Sequence, residues 1–166
     1  GAAALAGTEQ RRDRYHHLRP WRSLSVHGRV PRLTRELRSD MQTYQGGCHC
    51  GRVRFEITTD LEKVTECNCS ICTKKGAIHH RVTPERFRLL IGQDDLVLYQ
   101  SGTKVAKHWF CKTCGIHPFS NPRSAPELYS INLRCLDDFH KLVNRLTIKQ
   151  FDGRNWEEAI KNYQKL

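Results

Sequence analysis

Residues 46–58 read GGCHCGRVRFEIT. Two cysteines stand one residue apart and are followed by a glycine, after which Val53, Phe55 and Ile57 alternate with polar residues. A period of two is typical of a strand with one buried face. The stretch therefore predicts a β-strand directly beside a pair of potential metal ligands.

Similar short apolar runs recur along the chain, separated by glycine and proline. We predict further strands at 63–66, 77–82, 87–91, 96–100, 106–110, 116–120, 128–133 and 146–151. Short strands at close spacing favour an all-β sandwich or barrel-like body. One turn or short helix is expected at 137–142. A final helix is predicted after Asn155 as N-cap, with Glu158 at the capping-box position and an apolar stripe from Trp156 to Tyr163.

Residues 1–40 have a different composition from the rest of the chain. They contain nine arginines, no lysine and four acidic residues, without a sustained helical or strand period. Met41 is the only methionine, so translation starting there is one interpretation, and an Arg-rich transit peptide is another. We expect residues 1–40 to be a leader that is disordered or not native, and residues 41–166 to form a single domain.

The cysteines decide the chemistry. They fall in three motifs and one isolated position: Cys48-His-Cys50-Gly, Cys67-Asn-Cys69-Ser-Ile-Cys72, Cys111-Lys-Thr-Cys114-Gly, and Cys135. Disulfides would require an oxidising compartment, and no signal-peptide pattern is present. Buried free thiols do not usually gather in such pairs followed by glycine. Zinc explains the spacing better, because a Cys-x-x-Cys turn brings two thiolates to one tetrahedral ion.

Seven clustered thiolates cannot complete two four-coordinate sites. The two separated pairs, Cys48/Cys50 and Cys111/Cys114, predict a closed structural zinc site whose binding energy is part of the folding energy. The compact group Cys67, Cys69 and Cys72 predicts a second zinc with a fourth position left for water or substrate. Catalytic zinc sites keep such an open position.

These motifs together resemble the glutathione-dependent formaldehyde-activating enzyme family, which includes centromere protein V. The similarity rests on GGCHCGRVRFE at 46–56, CNCSIC at 67–72 and FCKTCG at 110–115, and it spans about residues 43–160. It implies a β-tent fold of curved antiparallel sheets stapled by zinc, with a short C-terminal helix. It also implies the same division of the seven cysteines between a structural and a catalytic zinc.

The resemblance implies an activity as well. The family reaction adds glutathione to formaldehyde to give S-hydroxymethylglutathione, which classes the enzyme as a carbon–sulfur lyase. Glutathione would then be the co-substrate, with formaldehyde or a related small aldehyde. Because glutathione is anionic, Lys74, Lys75 and Arg123 are candidates to meet its carboxylates, and solvated surface charge is the alternative for each.

The remaining histidines and aromatic residues admit two interpretations. His49 should point away from the metal because it alternates with two ligands. One of His79, His80 or His108 is a candidate proton shuttle, with a hydrogen-bonded strand histidine as the alternative. Cys135 is expected to be a buried thiol. We expect core packing rather than a substrate box for the aromatic residues Trp109, Phe110, Phe119 and Tyr129.

The charge and hydropathy limit the partners. The formal net charge of +11 is divided between leader and body, and the body mixes its lysines and arginines with acidic residues. We therefore expect a small thiol or aldehyde partner rather than nucleic acid, no membrane partner, and a cytoplasmic location. No pattern indicates an oligomeric state. The alternatives are a non-catalytic structural or chromatin-interaction protein of the centromere protein V type, and a metal store.

Overall fold

The computed structural model describes residues 41–163. The predicted Arg-rich leader, residues 1–40, lies outside the described residues, as do residues 164–166. The described part contains ten strands and three short α-helices, joined in places by single 3₁₀ turns. None of the helices in residues 41–163 has the length and apolar character that a membrane span requires.

The strands are short, and most of them match the predicted positions. The strands are β1 (Gln42–Gly47), β2 (Arg54–Thr59), β3 (Val64–Cys67), β4 (Ile78–Val82), β5 (Phe87–Ile91), β6 (Leu96–Tyr99), β7 (Lys107–Cys111), β8 (Phe119–Asn121), β9 (Tyr129–Asn132) and β10 (Ile148–Phe151). The helices are α1 (Ser70–Lys75), α2 (Phe139–Leu142) and α3 (Trp156–Ala159).

The strands form two sheets. Three strands make an antiparallel sheet in the order β1-β2-β5, with a register shift in the β2–β5 pairing between Arg54 and Phe55. The other seven make a sheet in the order β10-β3-β4-β9-β8-β7-β6. Its pairs are antiparallel except β10 with β3, which run parallel. The prediction of a mainly β fold with a short C-terminal helix is confirmed. The parallel pair of β10 with β3 differs from the antiparallel sheets that were expected.

The core lies between the sheets. Val53, Phe55 and Ile57 are all fully buried, as their alternation predicts. Rings from both sheets meet there: Phe87 of β5 stacks on Tyr129 of β9 at 4.1 Å between centroids. Phe119 of β8 stands edge-on to Phe87 at 4.9 Å. Such pairs add about 0.5–1.5 kcal/mol each to the burial term, so this aromatic cluster holds the sheets together.

The two other aromatic residues expected in the core behave differently. Trp109 of β7 packs against the core and its Nε1 donates to Oδ1 of Asn121 at 3.2 Å. Phe110 does not belong to the core cluster; it is half-buried, and its ring centre lies 5.0 Å from that of His117. The expectation of core packing is therefore wrong for Phe110, because successive residues of a strand point to opposite faces.

The C-terminal helix is present, but the predicted cap is wrong. α3 is a single turn between two 3₁₀ turns, Gly153–Asn155 and Ile160–Asn162. The side chain of Asn155 makes no capping hydrogen bond and donates instead to Oδ2 of Asp152 at 2.7 Å. The Asn155 side chain is therefore turned toward Asp152, and its oxygen accepts no hydrogen bond from the first turn of the helix.

Candidate metal centres and active-site cavity

The first cysteine group joins the two sheets. Cys48 and Cys50 follow β1, and Cys111 and Cys114 lie at the end of β7 and in the turn after it. The four sulfur atoms lie within 4.8 Å of one another. Because β1 and β7 belong to different sheets, anything bound by this group would cross-link them.

The sulfur spacing of this group suits a tetrahedral ion. Sγ of Cys50 lies 3.5 Å from Sγ of Cys48 and 3.7 Å from Sγ of Cys111. A ZnS₄ tetrahedron with Zn–S bonds of about 2.3 Å has edges of about 3.8 Å. The turn beyond β7 is closed by the N–H of Gly115, which donates to the carbonyl of Cys111 at 2.9 Å, and Gly115 adopts a left-handed φ of 72°. The residues therefore fit a closed four-thiolate metal site.

The second cysteine group is local. Cys67 ends β3, Cys69 precedes α1, and Cys72 lies within α1; their sulfur atoms also lie within 4.8 Å of one another. The three soft donors in one cluster fit a thiophilic ion such as zinc. Hydrogen bonding from the Cys72 thiol, against the effect of burial, lowers the pKa of Cys67, and the N–H of Cys69 and of Gly153 act in the same direction. This environment favours the thiolate of Cys67, which is the form that binds metal, whereas the same hydrogen bond and burial raise the pKa of Cys72.

The segment after β10 supports the second group. The side-chain amide of Asn68 donates to Oδ1 of Asp152 at 2.8 Å and accepts from the N–H of Arg154 at 3.0 Å. A Cβ added at Gly153 would collide with Sγ of Cys67 and lie 2.9 Å from Cβ of Cys69. Glycine is therefore the residue that lets this backbone approach the sulfur atoms.

The second group opens onto a cavity of about 290 Å³. Cys67, Cys69 and Cys72 line this cavity, and none of the four cysteines of the first group does. The volume is at the lower end of the range for small-molecule sites, about 300–1,000 Å³. The two cysteine groups thus differ in access: only the three-cysteine group adjoins this space.

Positive charge dominates the cavity wall. Of the described residues that line it, four are cationic and none is Asp or Glu; the four are Lys63, Lys75, Arg81 and Arg123. Aromatic residues close the wall near the C-terminus, namely Phe151, Trp156 and Tyr163. The wall therefore suits an anionic ligand.

Lys75 is held between two histidines. Its Nζ lies 3.2 Å from Nδ1 of His108 and 3.0 Å from Nε2 of His117. Nδ1 of His117 lies 2.8 Å from the carbonyl of Trp109, so that nitrogen donates and Nε2 accepts from Lys75. Burial, with the Lys75 charge, lowers the pKa of His108 to about 4 and that of His117 to about 2. Both imidazoles are therefore neutral acceptors near pH 7.

The two histidines of β4 point to opposite faces. His80 is buried; its Nε2 lies 2.5 Å from Oγ1 of Thr59 and its Nδ1 3.0 Å from the carbonyl of Lys63. His79 lines the cavity, with Nδ1 3.2 Å from Oγ of Ser130 and a buried Nε2 that has no partner among the described residues. His80 fits the interpretation as a hydrogen-bonded strand histidine, and His79 and His108 are the two candidates that adjoin the cavity.

The predicted glutathione ligands divide between two places. Lys75 and Arg123 line the cavity, whereas Lys74 is exposed and lines a different one. Nη2 of Arg123 pairs with Oε1 of Glu157 at 2.9 Å, and its guanidinium lies 3.3 Å above the Trp156 ring. All three remain predictions as substrate residues, but Lys74 does not face the three-cysteine cavity.

Two residues that the sequence analysis singled out, His49 and Cys135, belong to neither cysteine group. His49 is exposed. Cys135 is partly buried, its Sγ donates toward the carbonyl of His117 at 3.5 Å, and burial raises its pKa to about 12. Cys135 is therefore a thiol at neutral pH rather than a nucleophilic thiolate.

Sequence reasoning missed three residues at the site. Arg81 shares a strand face with His79, and the period of two in β4 was the signal that would have placed it there. His117 and Gly153 carry no local signal, because each meets its partners only when distant segments come together.

Comparison with known proteins agrees with this architecture. The sequence model of the family described as glutathione-dependent formaldehyde-activating enzyme matches residues 43–151, a segment that contains all seven clustered cysteines. The crystal structure of a Rhodobacter sphaeroides protein, a structural genomics target, is similar with a TM-score of 0.58 and 36% sequence identity. That similarity covers 63% of this chain and 99% of the other.

Proposed function

Since the chain belongs to the glutathione-dependent formaldehyde-activating enzyme family, we propose that it is a zinc-dependent carbon–sulfur lyase. The proposed reaction joins glutathione and formaldehyde, or a related small aldehyde, into S-hydroxymethylglutathione and reverses that step. In the forward direction the C–S bond forms, the S–H bond breaks, and the proton moves to the former carbonyl oxygen. The observation that carries the proposal is that the three-cysteine group adjoins the cavity and the four-cysteine group does not.

We assign the two groups different tasks. Cys48, Cys50, Cys111 and Cys114 would hold a structural zinc that ties the sheets together, and Cys67, Cys69 and Cys72 would hold the catalytic one. Zinc in the second group would supply a position that keeps a thiol as thiolate or polarises an aldehyde oxygen. The seven thiols need a reducing environment to stay free for metal, so we place the activity in the cytoplasm.

The cavity residues would bind and orient the substrate. The cationic wall attracts the glutathione carboxylates, with Lys75 beside the cysteines and Arg123 fixed against Trp156. Lys75 donates to His108 and His117, so its Nζ is held in place in the wall, and burial lowers its pKa. His79 is neutral, since burial lowers its pKa to about 3, so it offers the substrate a hydrogen bond rather than a base that takes up its proton.

Zinc analysis and exchange kinetics test the proposal. Protein prepared without chelator should contain about two zinc ions per chain, and glutathione should perturb one of them. Exchange NMR of glutathione with formaldehyde should show interconversion with S-hydroxymethylglutathione faster than in buffer. Cys69→Ser, with the four-cysteine group intact, is the matched control and should give the buffer rate. One tightly held zinc, with no response to glutathione and no added exchange, would reject the lyase in favour of a structural protein.

A further inference from the structure

Arg81 is a partly buried cation of the cavity that forms no salt bridge with any described residue. It lies on β4, on the same face as His79 and opposite the buried Ile78, His80 and Val82. Its Nη2 donates to Oγ of Ser124 at 2.8 Å, and its guanidinium stands 4.7 Å from the centre of the Tyr163 ring. Its Nη1 is buried without a partner among residues 41–163.

Each of the other three cations of the cavity has a partner in the protein or is solvated. Arg123 has Glu157 and Trp156, Lys75 has two imidazoles, and Lys63 is exposed to water. Within the described residues no carboxylate lies within 4.0 Å of Arg81. Burial lowers its pKa, and the more distant Tyr163 and Glu127 oppose that effect without reversing it. A partly buried charge without a counter-ion is costly, and an incoming anion removes that cost.

We propose that Arg81 binds a carboxylate of the ligand in the cavity it shares with Cys67, Cys69 and Cys72, and so selects carboxylate-bearing thiols over neutral ones. The placement of the thiol at the cysteines rests on the proposed function; the carboxylate contact does not. The planar guanidinium matches a carboxylate with two parallel N–H···O bonds. The unpartnered Nε2 of His79 stands on the same strand face as a second polar contact.

Amide analogues test this inference, because they keep the shape of the ligand and remove only the charge. The probes are 3-mercaptopropionate and 3-mercaptopropionamide, together with glutathione and the two amides made at its separate carboxylates. Calorimetric titration of the zinc-loaded full chain should show the acid of at least one pair binding about 10- to 100-fold more tightly than its amide. Arg81→Gln should reduce that ratio to within about 3-fold by weakening the acid alone.

Two control variants separate this role from a general one. Arg88→Gln, on β5 and outside the cavity, should keep the acid-over-amide ratio. Arg81→Lys keeps the charge and should keep part of the ratio, and it serves in place of Arg81→Gln if that variant does not fold. The inference is overturned if no acid is preferred in the native protein, or if Arg81 variants weaken acid and amide equally.

The assay contains no aldehyde, so its failure is distinct from failure of the lyase. A ratio that depends on Arg81 without any formaldehyde exchange would reject the lyase and keep the carboxylate site. Formaldehyde exchange together with an acid-over-amide ratio that does not depend on Arg81 would reject the carboxylate site and keep the lyase.

Discussion

Nζ of Lys75 lies 3.0 Å from Nε2 of His117. Lys75 stands three residues after Cys72, and His117 stands three residues after Cys114, so this contact joins the segments that carry the two cysteine groups. His117 in turn donates to the carbonyl of Trp109 on β7 at 2.8 Å. The wall of the three-cysteine cavity is thereby fixed to the strand that ends in the four-cysteine group.

Replacing Lys75 by methionine should lower the free energy of unfolding. The substitution leaves the acceptor nitrogens of His108 and His117 without their donor, and unsatisfied buried acceptors cost about 1–3 kcal/mol each. We expect a loss of about 2–4 kcal/mol in urea denaturation of the zinc-loaded protein. Lys74→Met, at the exposed neighbour, is the control and should change stability by less than about 0.5 kcal/mol. Equal effects at the two lysines would contradict the role of this contact.

His79 should make stability depend on pH. Burial, followed by the charges of Lys75 and Arg81, lowers its pKa to about 3, whereas an unfolded histidine has a pKa of about 6.5. Between these values the unfolded chain binds the extra proton, so stability from this residue is complete above about pH 6.5 and declines as the pH falls. The decline approaches about 1.4 kcal/mol per pH unit.

Comparison of variants isolates that effect. Unfolding by urea between pH 7.5 and 5 should show a shallower loss of stability for His79→Gln than for the native chain. Acid release of metal from the cysteines occurs in both proteins and cancels in the difference. His140→Gln, at an exposed position of α2, is the control. Identical slopes for all three proteins would mean that His79 is not buried as a neutral imidazole.

Much of the fold is local enough to be predicted from the sequence. The alternation of Val53, Phe55 and Ile57 predicts the buried face of β2 and of the residue before it, and glycine and proline mark most strand ends. The sequence does not predict β1, because Gln42–Gly47 is mostly polar or glycine. Its apolar residues therefore show no period of two. The sequence does not predict α1 either, because a helix of six residues is too short to show a helical period. Gly76 ends this helix in a left-handed conformation.

The candidate site is likewise predictable from the sequence only in part. Cysteine spacing places the sulfur atoms correctly because each motif is a turn with a fixed reach. The cavity wall could not be foreseen, since β4, β10 and the residues after β10 are distant in sequence and meet only through the parallel pairing of β10 with β3. Proximity to Cys72 therefore predicts Lys74, whereas the alternation of β4 puts Arg81 beside His79 without showing which cavity that face lines.

Gly153→Ala should disturb the three-cysteine group without unfolding the chain. The added methyl group meets Sγ of Cys67 and Cβ of Cys69, so the thiolates must separate. We expect zinc content to fall by about one ion per chain while β structure, followed by circular dichroism, is retained. Gly102→Ala is the control, because nothing lies within 4 Å of its added Cβ; strain from its φ of 55° should cost about 1 kcal/mol and no metal. Loss of zinc in both variants would show that contact with the sulfur atoms is not the cause.

The two cysteine groups should respond differently to loss of a ligand. Cys111 is 1% exposed and belongs to the group that spans both sheets, so Cys111→Ser should unfold the domain or lower its stability by several kcal/mol. Cys69 is partly exposed and its group is built from one β3–α1 segment, so Cys69→Ser should remain folded and lose one zinc. Thermal denaturation and metal analysis of the two variants measure both effects. Equal destabilisation would reject the division into a structural and an open site. Retention of both metals by Cys69→Ser would show that the three thiolates do not bind zinc together.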